Sequence, residues 1–290
     1  MYRRILVPLD GSSNSEIIIP YVMAIAAHTP CEIVLATVAH PRISDVDQLH
    51  HAYLDRQTEF LQHQINESGH KESMVKNKVL QGKPAEEIVK YADEIEADLV
   101  AISSYGFSGQ KPPLLGKISI RVLWNTKKPV LLVRSPAGEN EISQGTLFNR
   151  ILLPLDNSKT GEAAIEPATG LARLFNSELI LFQAITPIEF IPGYEAIVPL
   201  TMPWSDDIKR GAVTYLESIK SRLASGDGLK VLAEVGWGSP AESILNYAEE
   251  KGVDLIALSA HGQSNVSRWV FGSVTEKIMH AGSEALLIIH

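Results

Sequence analysis

Several features that would assign a chain to a class at once are missing from this sequence. Its single cysteine, Cys31, excludes an internal disulfide and a zinc site built from several thiolates. No apolar run reaches the roughly 18 residues that a membrane-spanning helix needs. The first residues, MYRRILVPLD, carry no signal-peptide pattern and instead resemble a strand. We therefore expect no membrane insertion and a cytoplasmic location.

Clusters of positive charge are also missing. The net charge is -8, and lysine and arginine are dispersed along the 290 residues, whereas nucleic-acid binders concentrate them to hold phosphate backbones. We therefore expect no nucleic-acid partner. Apolar residues make up 45% and charged residues 21% of the chain, which is typical of compact globular proteins, and the length suits about two domains.

The chain contains an internal repeat, which is its strongest sequence signal. The segment 4–10, RILVPLD, recurs as RILLPLD at 150–156, an offset of 146 residues. The segment 82–106 recurs at 238–262 with 13 of 25 positions identical, now at an offset of 156. Two homologous domains therefore follow one another in the chain.

The change in offset places about ten extra residues in the second repeat. The segment 186–205 is rich in proline and bulky apolar residues, so we expect a long ordered loop there. The polar stretch 135–148 predicts the boundary between the repeats. The predicted domains are residues 1–138 and 147–290.

Within each repeat, short apolar runs alternate with helical periodicity. The helix beginning at Pro84 is the clearest, since apolar residues recur every three or four positions after it. Alternation of this kind predicts a doubly wound α/β fold, here two tandem domains with five-stranded parallel sheets. For such a unit we expect the Rossmann-like strand order 3-2-1-4-5. The strands predicted in the first repeat are 5–9, 32–38, 74–80, 99–103 and 129–133, of which 74–80 is polar enough for a sheet edge.

In such sheets a ligand binds beyond the carboxyl ends of the strands, where the strand order reverses. This point lies between strands one and four of each repeat. In the second repeat we therefore expect two segments to converge although about a hundred residues separate them. These segments are Pro154, Leu155 and Asp156, and Leu258, Ser259, His261 and Gly262.

The loop after strand four leads to Gly272, Ser273, Val274 and Thr275 at the start of a helix. A helix start exposes backbone N–H groups that suit a phosphate, and Asp156 could accept hydrogen bonds from ribose hydroxyls. A structural interpretation stays open. Ser273-x-x-Glu276 is also a capping-box pattern, Gly262 could be a turn glycine, and Asp156 could cap the helix near Ser158.

At these residues the chain resembles the universal stress protein family, as a tandem two-domain member with an adenine nucleotide alpha-hydrolase-like fold. The strand ILLPLD, the block GSPAESIL and the stretch of HG, nine residues and GSVTE carry the resemblance. Nucleotide-binding members carry Gly-x-x-Gly, nine residues, then Gly-Ser or Gly-Thr. Gly262, Gly272 and Ser273 match this pattern, and Ser259 replaces its first glycine.

The resemblance implies that the second repeat binds ATP, possibly together with Mg²⁺. It implies that Pro154 and Asp156 line the adenosine side, that Ala184 at the end of strand two touches adenine, and that Ser273 and Val274 meet phosphate. Arg268 lies in the segment between Gly262 and Gly272, where it is either a ligand contact or a solvated surface charge.

The first repeat departs further from the family pattern. Ser103 stands at the first glycine position, Lys117 replaces the hydroxyl residue, and Pro112-Pro113 removes two amide donors from the loop. Lys117 could substitute as a point charge beside a phosphate. We favour a degenerate nucleotide site in the first repeat, which would then mainly support the second.

Three functions follow as hypotheses. The first is a stress-response regulator that binds ATP or another adenine nucleotide in the C-terminal domain. The second is a slow ATP hydrolase using the same crevice, for which Asp156, His261 and Glu276 are the nearby polar groups. The third is a scaffold or dimerisation module without nucleotide. We expect at most weak ATPase activity, no dedicated metal site, a homodimer and an unidentified protein partner.

Overall fold

The computed structural model of the protein describes residues 2–39, 44–69, 72–106, 115–134, 147–186, 203–224, 228–262 and 271–290, with only the backbone at 44–47 and 203–205. The chain folds as two compact units. The first contains residues 1–147 together with 285–290, and the second contains residues 148–284.

Helices and strands alternate along the chain, as the sequence predicts. The first repeat comprises β1 (Arg4–Pro8), α1 (Ser13–Glu16), α2 (Ile19–Ala26), β2 (Glu32–Ala39), α3 (Ser44–Glu67), β3 (Met74–Gln81), α4 (Pro84–Glu94), β4 (Leu99–Ser103), α5 (Lys117–Asn125) and β5 (Val130–Val133). The second repeat comprises β6 (Arg150–Pro154), α6 (Lys159–Glu162), α7 (Ile165–Phe175), β7 (Glu178–Ile185), α8 (Pro203–Ala224), β8 (Lys230–Trp237), α9 (Pro240–Lys251), β9 (Leu255–Ser259), α10 (Ser273–Ala281) and β10 (Ala285–Ile289).

The sheet of the first unit has the order β3-β2-β1-β4-β5, and these five strands are parallel. The predicted order 3-2-1-4-5 is therefore confirmed, including the edge position of β3. The C-terminal strand β10 belongs to this unit and pairs with β5 in the antiparallel direction, with Leu286 opposite Leu132. The last strand of the first repeat is thus covered.

In the second unit, β6, β7, β8 and β9 form a parallel sheet in the order β8-β7-β6-β9. The chain runs outward from β6 to β8 and then returns to the other side of β6. The strand order therefore reverses between β6 and β9, which are strands one and four of this repeat. Their carboxyl ends form the crevice in which a ligand of such a sheet is expected.

Apolar strands and amphipathic helices build the core of the second unit. Leu255 to Leu258 of β9 are buried, which is typical of a parallel strand covered on both faces. Helix α9 begins with Pro240 and buries Ala241, Ile244 and Ala248 at helical spacing. It ends at Gly252, whose left-handed φ of 58° favours glycine. Burial of Ile244 contributes about 1.5–3 kcal/mol.

Two predicted segments fall largely outside the described residues. The boundary stretch 135–148 is described only from residue 147 onward, and the domain limits 1–138 and 147–290 stay predictions. Of the segment 186–205, residues 187–202 lie outside the described residues. Its last three residues belong to α8, so the expected loop ends before Pro203.

A glutamate joins three strands at the amino end of each sheet. Glu178 of β7 accepts from Arg150 Nε of β6 at 3.2 Å and from Lys230 Nζ of β8 at 2.6 Å. The Lys230 hydrogen bond, followed by the attraction of Lys230 and the contact of Arg150, holds the pKa of Glu178 below its ordinary value. Glu32 joins Arg4 and Lys76 in the same way in the first unit.

We predict that Glu178→Gln lowers the free energy of unfolding by only about 0.5–1 kcal/mol at pH 7, since Arg150 and Lys230 are exposed and solvent screens their charges. The lowered pKa means that the carboxylate stabilises the fold above its unfolded value of 4.5 and loses this contribution as the pH falls through the folded value. Urea denaturation should therefore show the difference from the natural chain shrinking below pH 4.5.

The control is Glu249→Gln, at an exposed position of α9, which should leave the unfolding curve unchanged at both pH values. A difference between Glu178→Gln and the natural chain that stays constant down to pH 3, or grows there, would contradict this account of Glu178.

Candidate functional site

A cavity of about 350 Å³ opens at the carboxyl ends of β6, β7 and β9 in the second unit. Twelve of the thirteen residues singled out from the sequence line it. The thirteenth, Arg268, lies outside the described residues. The twelve are Pro154, Leu155, Asp156, Ala184, Leu258, Ser259, His261, Gly262, Gly272, Ser273, Val274 and Thr275.

The cavity also has lining residues that the sequence reasoning missed. Pro240 and Ile244 belong to the repeated block GSPAESIL, so the repeat itself carried a signal for them. Gln183 stands beside Ala184 in β7, and only its placement in the folded chain identifies it. The other lining residues that the sequence did not single out are Gly161, Thr186 and Ile278.

Asp156 and Gly262 converge across the crevice, as expected. A Cβ atom at Gly262 would overlap Oδ2 of Asp156, so the carboxylate packs directly on the glycine backbone. Thr160 Oγ1 donates to the carbonyl oxygen of Gly262 at 3.1 Å and holds the two segments together. A glycine is required at position 262 because the Asp156 carboxylate approaches its backbone closely. Neither Gly262 nor Gly272 has a positive φ.

The carboxylate of Asp156 is held in place by the start of α6. Its Oδ1 accepts from Ser158 N at 3.1 Å and from Ser158 Oγ at 2.5 Å. Ser158, and not Asp156, is the N-cap of this helix, because its Oγ accepts from Gly161 N at 2.9 Å. The alternative interpretation of Asp156 as the N-cap is therefore wrong. Ser158 holds the Asp156 side chain at the edge of the cavity.

Helix α6 is in turn anchored to α8. Tyr215 Oη donates to Oε1 of Glu162 at 3.0 Å. Burial, together with Glu162 and Asp156 nearby, raises the pKa of Tyr215, so the phenol stays a hydrogen-bond donor. In the first unit, Tyr53 Oη likewise donates to Oε1 of Glu16 at 2.8 Å.

The start of α10 differs from the capping-box interpretation. Its N-cap is Gly272, with φ of -58°, and Ser273 is already the first helical residue. Glycine has no side chain, so no side-chain cap hydrogen bond forms at this position. The first amides of α10 and the positive end of its dipole therefore lie beside the cavity, where an anion is stabilised.

Helix α10 is fixed to the end of β9 by hydrogen bonds to the backbone. Gly272 N donates to the carbonyl oxygen of Ala260 at 2.9 Å, and Thr275 Oγ1 donates to that of Ser259 at 2.9 Å. The hydroxyl of Thr275 is therefore used for positioning. The hydroxyl of Ser259 donates to the carbonyl oxygen of His261 at 2.8 Å, so it closes the turn after β9.

The first unit contains a corresponding cavity of about 530 Å³. Asp10 packs against Gly106 there, as Asp156 does against Gly262, and Lys117 is the first residue of α5. The cavity thus persists where we expect a degenerate nucleotide site, and this expectation stays a prediction. Pro112 and Pro113 lie outside the described residues.

Two features are absent from the described residues, a cluster of metal ligands and a membrane-spanning helix. No group of three or more histidine, cysteine, aspartate or glutamate side chains in these ranges could hold a metal ion. Within the same ranges, no helix combines the length and the apolar character that crossing a bilayer requires.

Comparison with known proteins identifies relatives of both halves. A model of the universal stress protein family matches residues 1–134 and 147–290. The chain is 28% identical over 155 residues to a universal stress protein of Methanocaldococcus jannaschii, covering 49% of this chain and 95% of that protein. It is 27% identical over 153 residues to the universal stress protein YxiE of Bacillus subtilis, covering 49% of this chain and 99% of that protein.

A solved structure covers the whole chain. A universal stress protein from Archaeoglobus fulgidus superimposes with a TM-score of 0.68 and 23% identity, covering 100% of this chain and 98% of its own. This likeness concerns the fold. Relatives that match half of this chain along nearly their full length are what a tandem duplication of one domain produces.

We predict that Gly262→Ala lowers the free energy of unfolding by about 1–3 kcal/mol, because the new methyl group overlaps Oδ2 of Asp156. Urea or thermal denaturation measures the loss. Gly211→Ala is the matched control, since nothing lies within 4 Å of its added Cβ. Inside helix α8 this change should be neutral or stabilising by up to about 1 kcal/mol.

The double variant Asp156→Ala with Gly262→Ala tests the cause of the loss. Removal of the carboxylate leaves room for the methyl group, so the Gly262→Ala cost should shrink in the Asp156→Ala background. An equal cost in both backgrounds would show that the two residues are not in contact.

Proposed function

The chain belongs to the universal stress protein family, and on that premise we propose that its second unit binds ATP, or another adenine nucleotide, in the cavity between β6, β7 and β9. We propose further that occupancy of this cavity makes the protein a nucleotide-dependent regulator of the stress response. The observation that carries the proposal is the meeting of Asp156, Gly262 and the open start of α10 in one cavity.

The phosphates bind at the start of α10 in this proposal. Ser273, Val274 and Thr275 line the cavity and form the first turn of the helix. Their amides are oriented by the two backbone anchors of α10, so a phosphate pays little ordering cost when it binds. The hydroxyl of Ser273 is exposed and adds a donor to the same group.

The ribose lies against Asp156. A carboxylate accepts hydrogen bonds from vicinal hydroxyls, and Asp156 is fixed in position by Ser158 and by contact with Gly262. Proton abstraction is a weaker use of this group, because Oδ1 already accepts two hydrogen bonds from Ser158. We therefore propose binding, with turnover at most slow.

The base occupies the apolar part of the cavity near Ala184. Pro240, Ile244 and Leu258 line the same space and offer the hydrophobic surface that an aromatic base needs. A Mg²⁺ ion would be held mainly by the phosphate oxygens, since this ion usually keeps several waters and few protein ligands.

The two repeats have different roles in this proposal. Lys117 is the first residue of α5, as Ser273 is of α10. The first unit therefore offers a long flexible cation at the helix start, where the second unit offers a short hydroxyl side chain. The second unit therefore carries the regulatory site, and the first mainly supports it. A homodimer and a protein partner that responds to nucleotide occupancy complete the proposal.

Isothermal titration with ATP tests the proposal through matched substitutions. We predict one nucleotide per chain and loss of binding in Ser273→Trp, because the indole fills the space beside the first amides of α10. Lys117→Trp in the first unit should retain binding. Lys277→Trp, on an exposed position of the same helix α10, should also retain it.

Circular dichroism melts of the three variants separate a lost site from a lost fold. Absence of heat with ATP, AMP and cyclic AMP in the natural chain would contradict nucleotide binding. Equal losses in Ser273→Trp and Lys117→Trp would contradict the difference between the repeats.

A further inference from the structure

Two buried polar atoms of the cavity have no hydrogen-bond partner among the described residues. They are Oε1 of Gln183 and Nε2 of His261. Both residues line the cavity and are half-buried as whole residues. The two atoms themselves have almost no solvent-accessible surface. Native structures seldom leave a buried acceptor without a donor, and such exceptions concentrate where a ligand supplies the missing group.

The strand order places the two atoms on opposite sides of the cavity. Gln183 belongs to β7 and His261 follows β9, with β6 between these strands. Neighbouring strands lie about 4.8 Å apart, so the sides are separated by about 10 Å. A ligand with its phosphate at α10 and its ribose at Asp156 therefore extends its base toward the end of β7.

In the first repeat, the position that corresponds to Gln183 carries a side chain whose polar atom is hydrogen-bonded within the fold. Thr37 occupies the position of Gln183, because Leu9 N donates to Ala36 O at 2.8 Å just as Leu155 N donates to Phe182 O at 2.8 Å. The hydroxyl of Thr37 donates to the carbonyl oxygen of Leu9 and is satisfied within the fold. Gln183 is longer and its Oε1 remains without a donor.

We propose that Gln183 is the residue that reads the base, with Oε1 accepting a hydrogen bond from the exocyclic amino group of adenine. This inference rests on the proposed nucleotide site and adds to it a determinant of base specificity. An unpaired buried acceptor is unfavourable in the free protein, and a ligand that carries a donor at that position satisfies it.

The test compares ATP with purine riboside 5′-triphosphate, in which hydrogen replaces the 6-amino group. Titration of the natural chain should give about tenfold weaker binding of the analogue, the loss of one buried hydrogen bond. In Gln183→Met, which keeps the length of the side chain without its polar atoms, the two ligands should bind equally.

Thermal melts of the ligand-free protein supply a second readout. Gln183→Met should raise the melting temperature, because it removes a buried unpaired acceptor. Thr37→Val should lower the melting temperature, because it leaves the carbonyl oxygen of Leu9 without its donor, and should keep the tenfold preference of the second unit. A purely structural Gln183 would give a lower melting temperature in Gln183→Met.

The outcomes separate the two proposals. Binding of ATP with equal affinity for the analogue in the natural chain, or an unchanged preference in Gln183→Met, would overturn the role of Gln183 alone. Failure of the natural chain to bind ATP would overturn the nucleotide site and this inference with it. If Gln183→Met does not fold, Gln183→Thr, the residue found in the first repeat, is measured against the same expectation.

Discussion

The contact between the Asp156 carboxylate and the Gly262 backbone is the constraint on which the candidate site depends. Asp156 ends the first segment of the second repeat and Gly262 follows its fourth strand, so this contact closes the crevice across a long stretch of chain. Any side chain at Gly262 would separate them. Thr160 bridges to the same glycine, and Ser158 fixes the carboxylate from the other side. These contacts fix the carboxylate at the edge of the cavity that the start of α10 also lines.

The two repeats share a scaffold and differ at single residues that line their cavities. At the amino ends of the strands, Glu32 and Glu178 each join two cations on neighbouring strands. Beyond the carboxyl ends of β1 and β6, Tyr53 and Tyr215 each anchor the short helix that follows. These contacts are the same in kind and nearly the same in length. The residue types diverge at single positions that line the cavities, with Lys117 in place of Ser273 and Thr37 in place of Gln183. This pattern is expected when stability restrains the shared scaffold and ligand chemistry sets the cavity lining.

Much of the fold could be predicted because periodicity and duplication are visible in the sequence itself. The parallel sheet follows from the alternation of apolar runs and helices. The convergence of Asp156 with Gly262 follows from a reversal of strand order between strands one and four. Local signals misassigned the caps at the starts of α6 and α10. Ser273 and Glu276 fit a capping box in sequence, yet Gly272 takes the N-cap position because its carbonyl accepts from Glu276 N at 2.9 Å. Gln183 carries no motif, and its unpaired Oε1 depends on which groups surround it after folding.

The central claim is that the first amides of α10 receive a phosphate while Asp156 receives the ribose. A crystal structure of the protein with a slowly hydrolysed ATP analogue tests it most directly. We expect phosphate oxygens about 3 Å from the backbone nitrogens of Ser273 and Val274, with a ribose hydroxyl at a similar distance from Asp156. Phosphates bound away from α10, or a second unit left empty while the analogue fills the first, would contradict it.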